Sequence, residues 1–356
     1  MRTRLLVLLS IVIVVAGGGM RSASSTPLQP SDFVPVRVGQ PFQAAKLDSL
    51  ARASDPSSRP QPPPSTLQNS LSLASFTEIS TTLPAVEDSA IAWGDYDGDG
   101  DLDILLTGDT GSGYVSEIYR NDGSGVFSSM SAGLTGVEYG SVAWGDYDND
   151  GDLDIALVGL DNELILVDEL YRNDGGTFTR VNAGLQGYEP LAWGDYDNDD
   201  DLDILLGGHV YRNDGGSVFT TTASVSGGRA WGDYDNDGDL DILASNRVYR
   251  NEGGDVFTGA ASVGGLAWGD YDNDGDLDIL SGNEVYRNDG DSTFTDINAG
   301  LTTLSEGSVA WGDADGDGDL DILLTGHTGD YMGVSKLYRN DGPAAVPGGW
   351  LFTDAN

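Results

Sequence analysis

Acidic residues at alternate positions recur in six runs along this chain, and clustered oxygen donors at that spacing suit one chemistry above others, the binding of a hard cation. The first run is Asp95, Asp97, Asp99, Asp101 and Asp103, with Gly100 between its third and fourth acids. The pattern returns as Asp146, Asp148, Asp150, Asp152 and Asp154, and then as Asp195, Asp197, Asp199, Asp201 and Asp203. It continues with Asp233, Asp235, Asp237, Asp239 and Asp241, with Asp270, Asp272, Asp274, Asp276 and Asp278, and with Asp313, Asp315, Asp317, Asp319 and Asp321. Carboxylates at loop positions 1, 3 and 5, a backbone carbonyl at 7 and a glycine at 6 for the sharp turn are the requirements of a calcium loop. The bidentate Glu that an EF-hand places at position 12 is missing. The ninth-position acid (Asp103, Asp154, Asp203, Asp241, Asp278 or Asp321) is the substitute, and the seventh-position Asp need offer only its carbonyl. These runs predict about one Ca2+ per repeat as the bound cofactor. In the third loop Asp200 stands where the others have glycine, so a weaker site is expected there.

Electrostatics explains why such loops need a metal. Two unit charges about 4 Å apart repel by about 1 kcal/mol in water and about 4 kcal/mol at a surface-like dielectric, and each run holds several such pairs. A cation present at about 100 times its dissociation constant would stabilise the fold by about 2.7 kcal/mol per independent site.

The whole chain is acidic too: 58 Asp and Glu against 17 Lys and Arg give a formal net charge of −41. That balance argues against nucleic acid or an anionic membrane as a partner. Aromatics recur in step with the acids, which argues against disorder. Cysteine is absent, so neither disulfide nor thiolate chemistry is available.

The elements that must position these loops are short strands. Each run follows an Ala-Trp-Gly-Asp segment, at Trp93, Trp144, Trp193, Trp231, Trp268 and Trp311, with successive spacings of 51, 49, 38, 37 and 43 residues. That period belongs to propeller blades, and no stretch carries a helical period. In the second unit Ser141 to Gly145 reads as a first strand, Leu153 to Val158 as a buried second, Glu169 to Arg172 as a third ending in the turn signal Asn173-Asp174-Gly175, and Thr177 to Val181 as a fourth. The fold class is therefore all-β, a β-propeller of four-stranded antiparallel blades over residues 73–356. Length differences between units fall between the second and third strands or after the fourth, where surface loops are expected to absorb them. Phe76-Thr77-Glu78-Ile79 resembles the fourth strand Phe294-Thr295-Asp296-Ile297, and the chain stops inside another fourth strand. Either the N-terminal segment supplies the outer strand of the last blade and closes a six-bladed ring, or the six repeats are part of a seven-bladed one.

Residues 1–25 read as a signal peptide, with Arg2 and Arg4 before an apolar run from Leu5 to Ala16 that is short for a membrane span; the competing reading is a retained anchor. Residues 26–72, rich in Ser, Pro and Gln, read as an extended linker. Both imply a secreted or cell-surface location, with no membrane insertion after signal cleavage.

On the Asp-x-Asp-x-Asp-Gly-x-x-Asp loop between the first two strands of each unit, residues 75 to 356 resemble the FG-GAP and VCBS repeat families and the propeller of integrin α chains. The resemblance implies a ring of blades with calcium loops on one face and a role in extracellular recognition or adhesion, the partner being a protein or glycan. The literal FG and GAP signatures are absent and nearly every unit keeps its loop, so integrin-type ligand binding does not carry over.

Arg120, Arg172, Arg212, Arg250, Arg287 and Arg339 each precede Asn and an acidic turn residue and are expected to form internal ion pairs. The six repeated tryptophans are expected to pack blade against blade. Neither His209 nor His327 belongs to a catalytic constellation, and a non-enzymatic interaction module is the expectation, with a lectin or the non-catalytic portion of an extracellular hydrolase or lyase as alternatives.

Overall fold

A computed structural model describes residues 81–355, apart from 82, 124, 306, 329–331 and 344–349. The proposed signal peptide, the linker and the segment Phe76 to Ile79 lie outside the described residues. The first blade contains β1 (Glu87–Gly94), β2 (Asp103–Asp109), β3 (Tyr114–Asn121) and β4 (Phe127–Ser129). The second contains β5 (Glu138–Gly145), β6 (Asp154–Leu160), β7 (Leu166–Asn173) and β8 (Phe178–Val181), and the third β9 (Leu191–Gly194), β10 (Asp203–Leu206), β11 (His209–Asn213) and β12 (Phe219–Ser224). The fourth is built of β13 (Gly228–Gly232), β14 (Asp241–Ala244), β15 (Arg247–Asn251) and β16 (Phe257–Ala261), and the fifth of β17 (Ala267–Gly269), β18 (Asp278–Ser281), β19 (Glu284–Asn288) and β20 (Phe294–Asp296). The sixth has β21 (Val309–Gly312), β22 (Asp321–His327), β23 (Gly333–Pro343) and β24 (Trp350–Asp354). Each blade is an antiparallel meander in which strands pair in chain order, and the six blades form a β-propeller.

Each second strand is the spine of its blade, because it opens with the ninth-position Asp and continues as an apolar run with neighbours on both faces. In β10 and β14 every residue is buried, and in β2 and β6 all but the last. Among the described residues the outer strand of the sixth blade is β24, from the C-terminal part of the chain. The length differences also resolve differently from expectation. β2, β6 and β22 have seven residues where β10, β14 and β18 have four, so the extra residues lengthen the hairpin itself instead of bulging into a loop. Pairing them satisfies backbone groups that a loop would leave to water.

One joint connects successive blades. Trp144 of the second blade lies flat on Tyr96 of the first, with ring centroids 6.1 Å apart and planes 10° apart, and Phe178 closes against both. The same stack is made by Tyr147 and Trp193, Tyr196 and Trp231, Tyr234 and Trp268, and Tyr271 and Trp311. The indole lies against the glycine of the preceding Trp-Gly pair so closely that a Cβ on Gly94 would stand 2.6 Å from Trp144, and one on Gly232 2.7 Å from Trp268. Tryptophan thus packs blade on blade, as its spacing predicts. The first and last blades depart from this rule. Ala314 stands in the tyrosine position, a Cβ on Gly312 would meet nothing within 4 Å, and Trp93 packs edge-on against Phe127 of its own blade.

Gly232→Ala is expected to cost about 1–3 kcal/mol by overpacking the joint, while Gly312→Ala changes stability by less than about 0.5 kcal/mol. Thermal or urea unfolding of the two variants checks this, and equal losses would contradict the joint.

Candidate metal-binding loops

The ninth-position aspartates are buried to 0 or 1% exposure in all six blades. Each carboxylate is gripped from two sides. In the second blade Tyr147 N donates to Asp154 Oδ2 at 3.1 Å and Asn173 N donates to Asp154 Oδ1 at 2.8 Å, so the loop and the end of the third strand close on one side chain. Asp103, Asp203, Asp241 and Asp278 are held in the same way. In the sixth blade Ala314 N takes the tyrosine's place. Burial pushes these carboxyls up, against the opposing pull of the two N–H groups: to about 6 at Asp103, about 7 at Asp154 and about 8 at Asp203, Asp241 and Asp278. Asp321 is raised as well.

The rest of the loop wraps around the first-position acid. Asp146 Oδ1 accepts from Asp150 N and Oδ2 from Gly151 N, both at 3.1 Å, and Asp152 N donates to Asp150 Oδ1 at 2.9 Å. All six loops repeat these three bonds. The turn needs a left-handed sixth position: φ is 94° at Gly100 and 98° at Gly151, and Asp200 is forced to 73° in the third loop.

Ligand oxygens of positions 1, 3 and 9 approach within 4.8 Å of one another in Asp146, Asp148 and Asp154, in Asp233, Asp235 and Asp241, and in Asp270, Asp272 and Asp278. Positions 1, 3 and 5 do so in Asp95, Asp97 and Asp99 and in Asp195, Asp197 and Asp199. The acids at position 7 turn elsewhere. Asp152 Oδ2 accepts from Gly175 N of the following turn, and Asp201, Asp239, Asp276 and Asp319 each accept from the loop asparagine of the preceding blade, Asn149, Asn198, Asn236 or Asn273, at 2.7–2.9 Å. Gly98 occupies that asparagine position in the first loop and Gly316 in the sixth.

Two recurring residues matter more to the loops than their sequence suggests. The asparagine of each Tyr-Arg-Asn supplies the N–H on the ninth-position acid and sends its amide back to the loop: Asn173 Nδ2 donates to Leu153 O and also to Tyr96 O of the preceding blade. Asn213, Asn251, Asn288 and Asn340 likewise reach the tyrosine carbonyl of the blade before them. The tyrosine of Trp-Gly-Asp-Tyr is the second, serving loop and joint together. Fixed recurrence beside the tryptophan and arginine was the signal for both. The six arginines pair with the acid two residues on, Arg172 with Asp174 at 2.9 Å and Arg287 with Asp289 at 2.6 Å, and Arg250 also leans toward Asp235 at 3.8 Å. These are the expected internal ion pairs, and at such exposure each adds little to stability. His209 Nδ1 lies 2.9 Å from Ser224 Oγ, and His327 bridges Ser305 through its backbone.

Residues 95–157 and 270–324 match the FG-GAP-like repeat family. No curated protein matches the chain. A solved structure of a thermostable family-43 glycoside hydrolase is similar over 79% of this chain and 96% of that one, at 10% identity and a TM-score of 0.29.

A pH dependence follows from the buried carboxyls. Their folded pKa lies above the unfolded value near 3.8, so the metal-free fold binds more protons than the unfolded chain; this contribution to stability is complete below about pH 4 and is lost as pH rises to about 8. In chelator the melting temperature should decline from pH 4 to pH 8, and saturating calcium should remove the decline by binding the ionised form. A metal-free melt that rises over this window would contradict the assignment.

Proposed function

We propose that this chain, a six-bladed propeller carrying FG-GAP-like repeats, is a secreted or cell-surface, calcium-loaded interaction module with no catalysis of its own. One observation supports the metal most directly. Asp148, Asp235 and Asp272, all at position 3, each bury an Oδ1 atom that has no hydrogen-bond partner, although they sit beside other carboxylates. A buried lone pair without a donor costs about 1–3 kcal/mol, and a cation at the loop centre would satisfy it. Side chains at positions 1, 3, 5 and 9 and the carbonyl at 7 are hard oxygen donors of the kind calcium takes. When bound, calcium supplies the positive charge that offsets carboxylate repulsion within each loop.

The chain's own residues do the remainder. Backbone N–H groups orient the acids at positions 1 and 9, and the loop asparagines tie neighbouring loops together. Five of the six repeated indoles are taken up in joints between blades, which favours a protein over a sugar as the partner. Export rests on the pattern of residues 1–25.

Complete calcium removal should lower the melting temperature by many degrees, and restoring calcium should recover it; an unchanged melt would sink the reading. Asp99→Ala or Asp237→Ala should cost more calcium-dependent stability than Asp101→Ala or Asp239→Ala. Asp200→Gly should tighten the third site, read as a higher affinity for one calcium by titration calorimetry, because glycine takes the left-handed turn without strain.

A further inference from the structure

The two ends of the propeller differ in a way that the repeats do not explain. The six Asp loops and the described turns between third and fourth strands share one end, and the loops repeat closely. The opposite end carries the starts of the first strands and the hairpins between second and third strands, and there the blades diverge. In repeat folds, unit-specific extensions gather on one face, often the binding face.

On blades one to three this end is built of exposed apolar groups beside carboxylates. The tip of the β6–β7 hairpin exposes Leu164 (65%), Ile165 (57%) and Leu166 (41%). Leu166 pairs with Leu160, which pairs with Glu138, so the tip runs directly into the start of β5. There Tyr139 is 48% exposed, turned out by a left-handed φ of 47° where the register of β5 shifts, and it lies close enough to Asp88 of the first blade to feel its charge. Tyr188, 37% exposed, lies close enough to Glu138, Asp88 and Glu189 to feel their charge. Glu138 is itself buried and fixed by Tyr114, whose hydroxyl donates to it at 2.5 Å. Two cations lie beside this face: Arg229 faces Glu189 and donates to Ser245 Oγ at 2.8 Å, and Arg180 pairs with Glu169 of β7 at 2.9 Å and lies near Asp168.

We propose that this face is the recognition surface of the propeller and takes a basic polypeptide segment in which Lys or Arg alternates with apolar side chains. Leucine and isoleucine offer contact area to apolar side chains and no hydrogen bond to a sugar hydroxyl. Tyrosine faces beside carboxylates suit an ammonium or guanidinium group. A net charge of −41 steers such a segment toward the protein and repels an acidic one. The site is independent of the calcium assignment, since none of these residues belongs to an Asp loop.

The test uses the purified full chain in calcium and a fluorescein-labelled peptide of alternating leucine and lysine, read by polarisation. The leucine–glutamate peptide of equal length and a neutral glucan oligosaccharide serve as comparisons. The lysine peptide is expected to bind, and more weakly as salt rises. Leu164→Ser/Ile165→Ser, which changes no charge, and Tyr139→Ala should each lower affinity about tenfold or more. Val218→Ser/Val256→Ser removes two side chains of similar exposure (55% and 50%) at the Asp-loop end and should leave affinity within about twofold. All variants should melt with the parent. Absence of binding overturns the proposal, as do equal losses from the two double variants, indifference to the Leu164 and Ile165 changes, or preference for the acidic peptide or the oligosaccharide.

Discussion

Each blade is organised around a carboxylate that has been removed from water and closed between two backbone N–H groups. Asp154 receives one from Tyr147, at the start of the loop, and one from Asn173, at the end of the third strand, and the same arrangement recurs in every blade. Burial of an acid at 0% exposure is costly unless its oxygens are satisfied, so this side chain can sit at the base of the loop only if loop, second strand and third strand are all in place. The carboxylate therefore couples the candidate metal centre to the sheet, and its burial is the origin of the raised pKa. A cation beside it favours the ionised form that the buried site otherwise disfavours.

The coupling extends between blades through few residues. The tyrosine that donates its N–H to the buried acid presents its ring to the next tryptophan and its carbonyl to the next asparagine. Each joint thus shares atoms with a loop, and the array behaves as nearest-neighbour units in which a loop that loses its shape loosens the following interface. Blades one and six are the terminal cases. Ala314 removes the ring on one side, and among the described residues the amide of Asn121 reaches Leu102 of its own blade.

Much of this was legible in the sequence because it is repeated. Six copies of an acidic run between two apolar strands identify a loop, fix the strand order and place the tryptophans in the packing. What a single unit could not reveal is a partner in another unit. The asparagine after each arginine reads as a turn residue, and only the fold shows its amide crossing to the preceding blade. The tyrosine after each Trp-Gly-Asp reads as a spacer between acids, and only the joint shows that its ring stacks on the next tryptophan, a contact that Ala314 cannot make. Hairpin extension was misread as loop because extra residues such as those around Gly108 carry turn-prone glycine, whereas strand pairing across the blade prevails over local propensity. The outer strand of the last blade could not be assigned from similarity between the segments at residues 76 and 352, since both fit a fourth strand equally.

Division of labour between the two ends follows from the same constraint. At the Asp-loop end the acids and asparagines of the loops are tied to a buried acid, a neighbouring loop or a turn, so a substitution among them is felt in at least two blades. At the other end the hairpin tips and strand starts meet their neighbours through a few polar side chains, as Tyr114 meets Glu138 and Asn162, and lie apart from the aromatic joints, so their length and chemistry can vary without disturbing those joints. Exposed leucine and tyrosine persist there on a protein of very high negative charge, where charged residues would be the inexpensive choice for a free surface. An apolar group held in that setting, flanked by acids such as Glu138 that are oriented from beneath, combines the contact area and the negative charge that a basic, apolar partner needs.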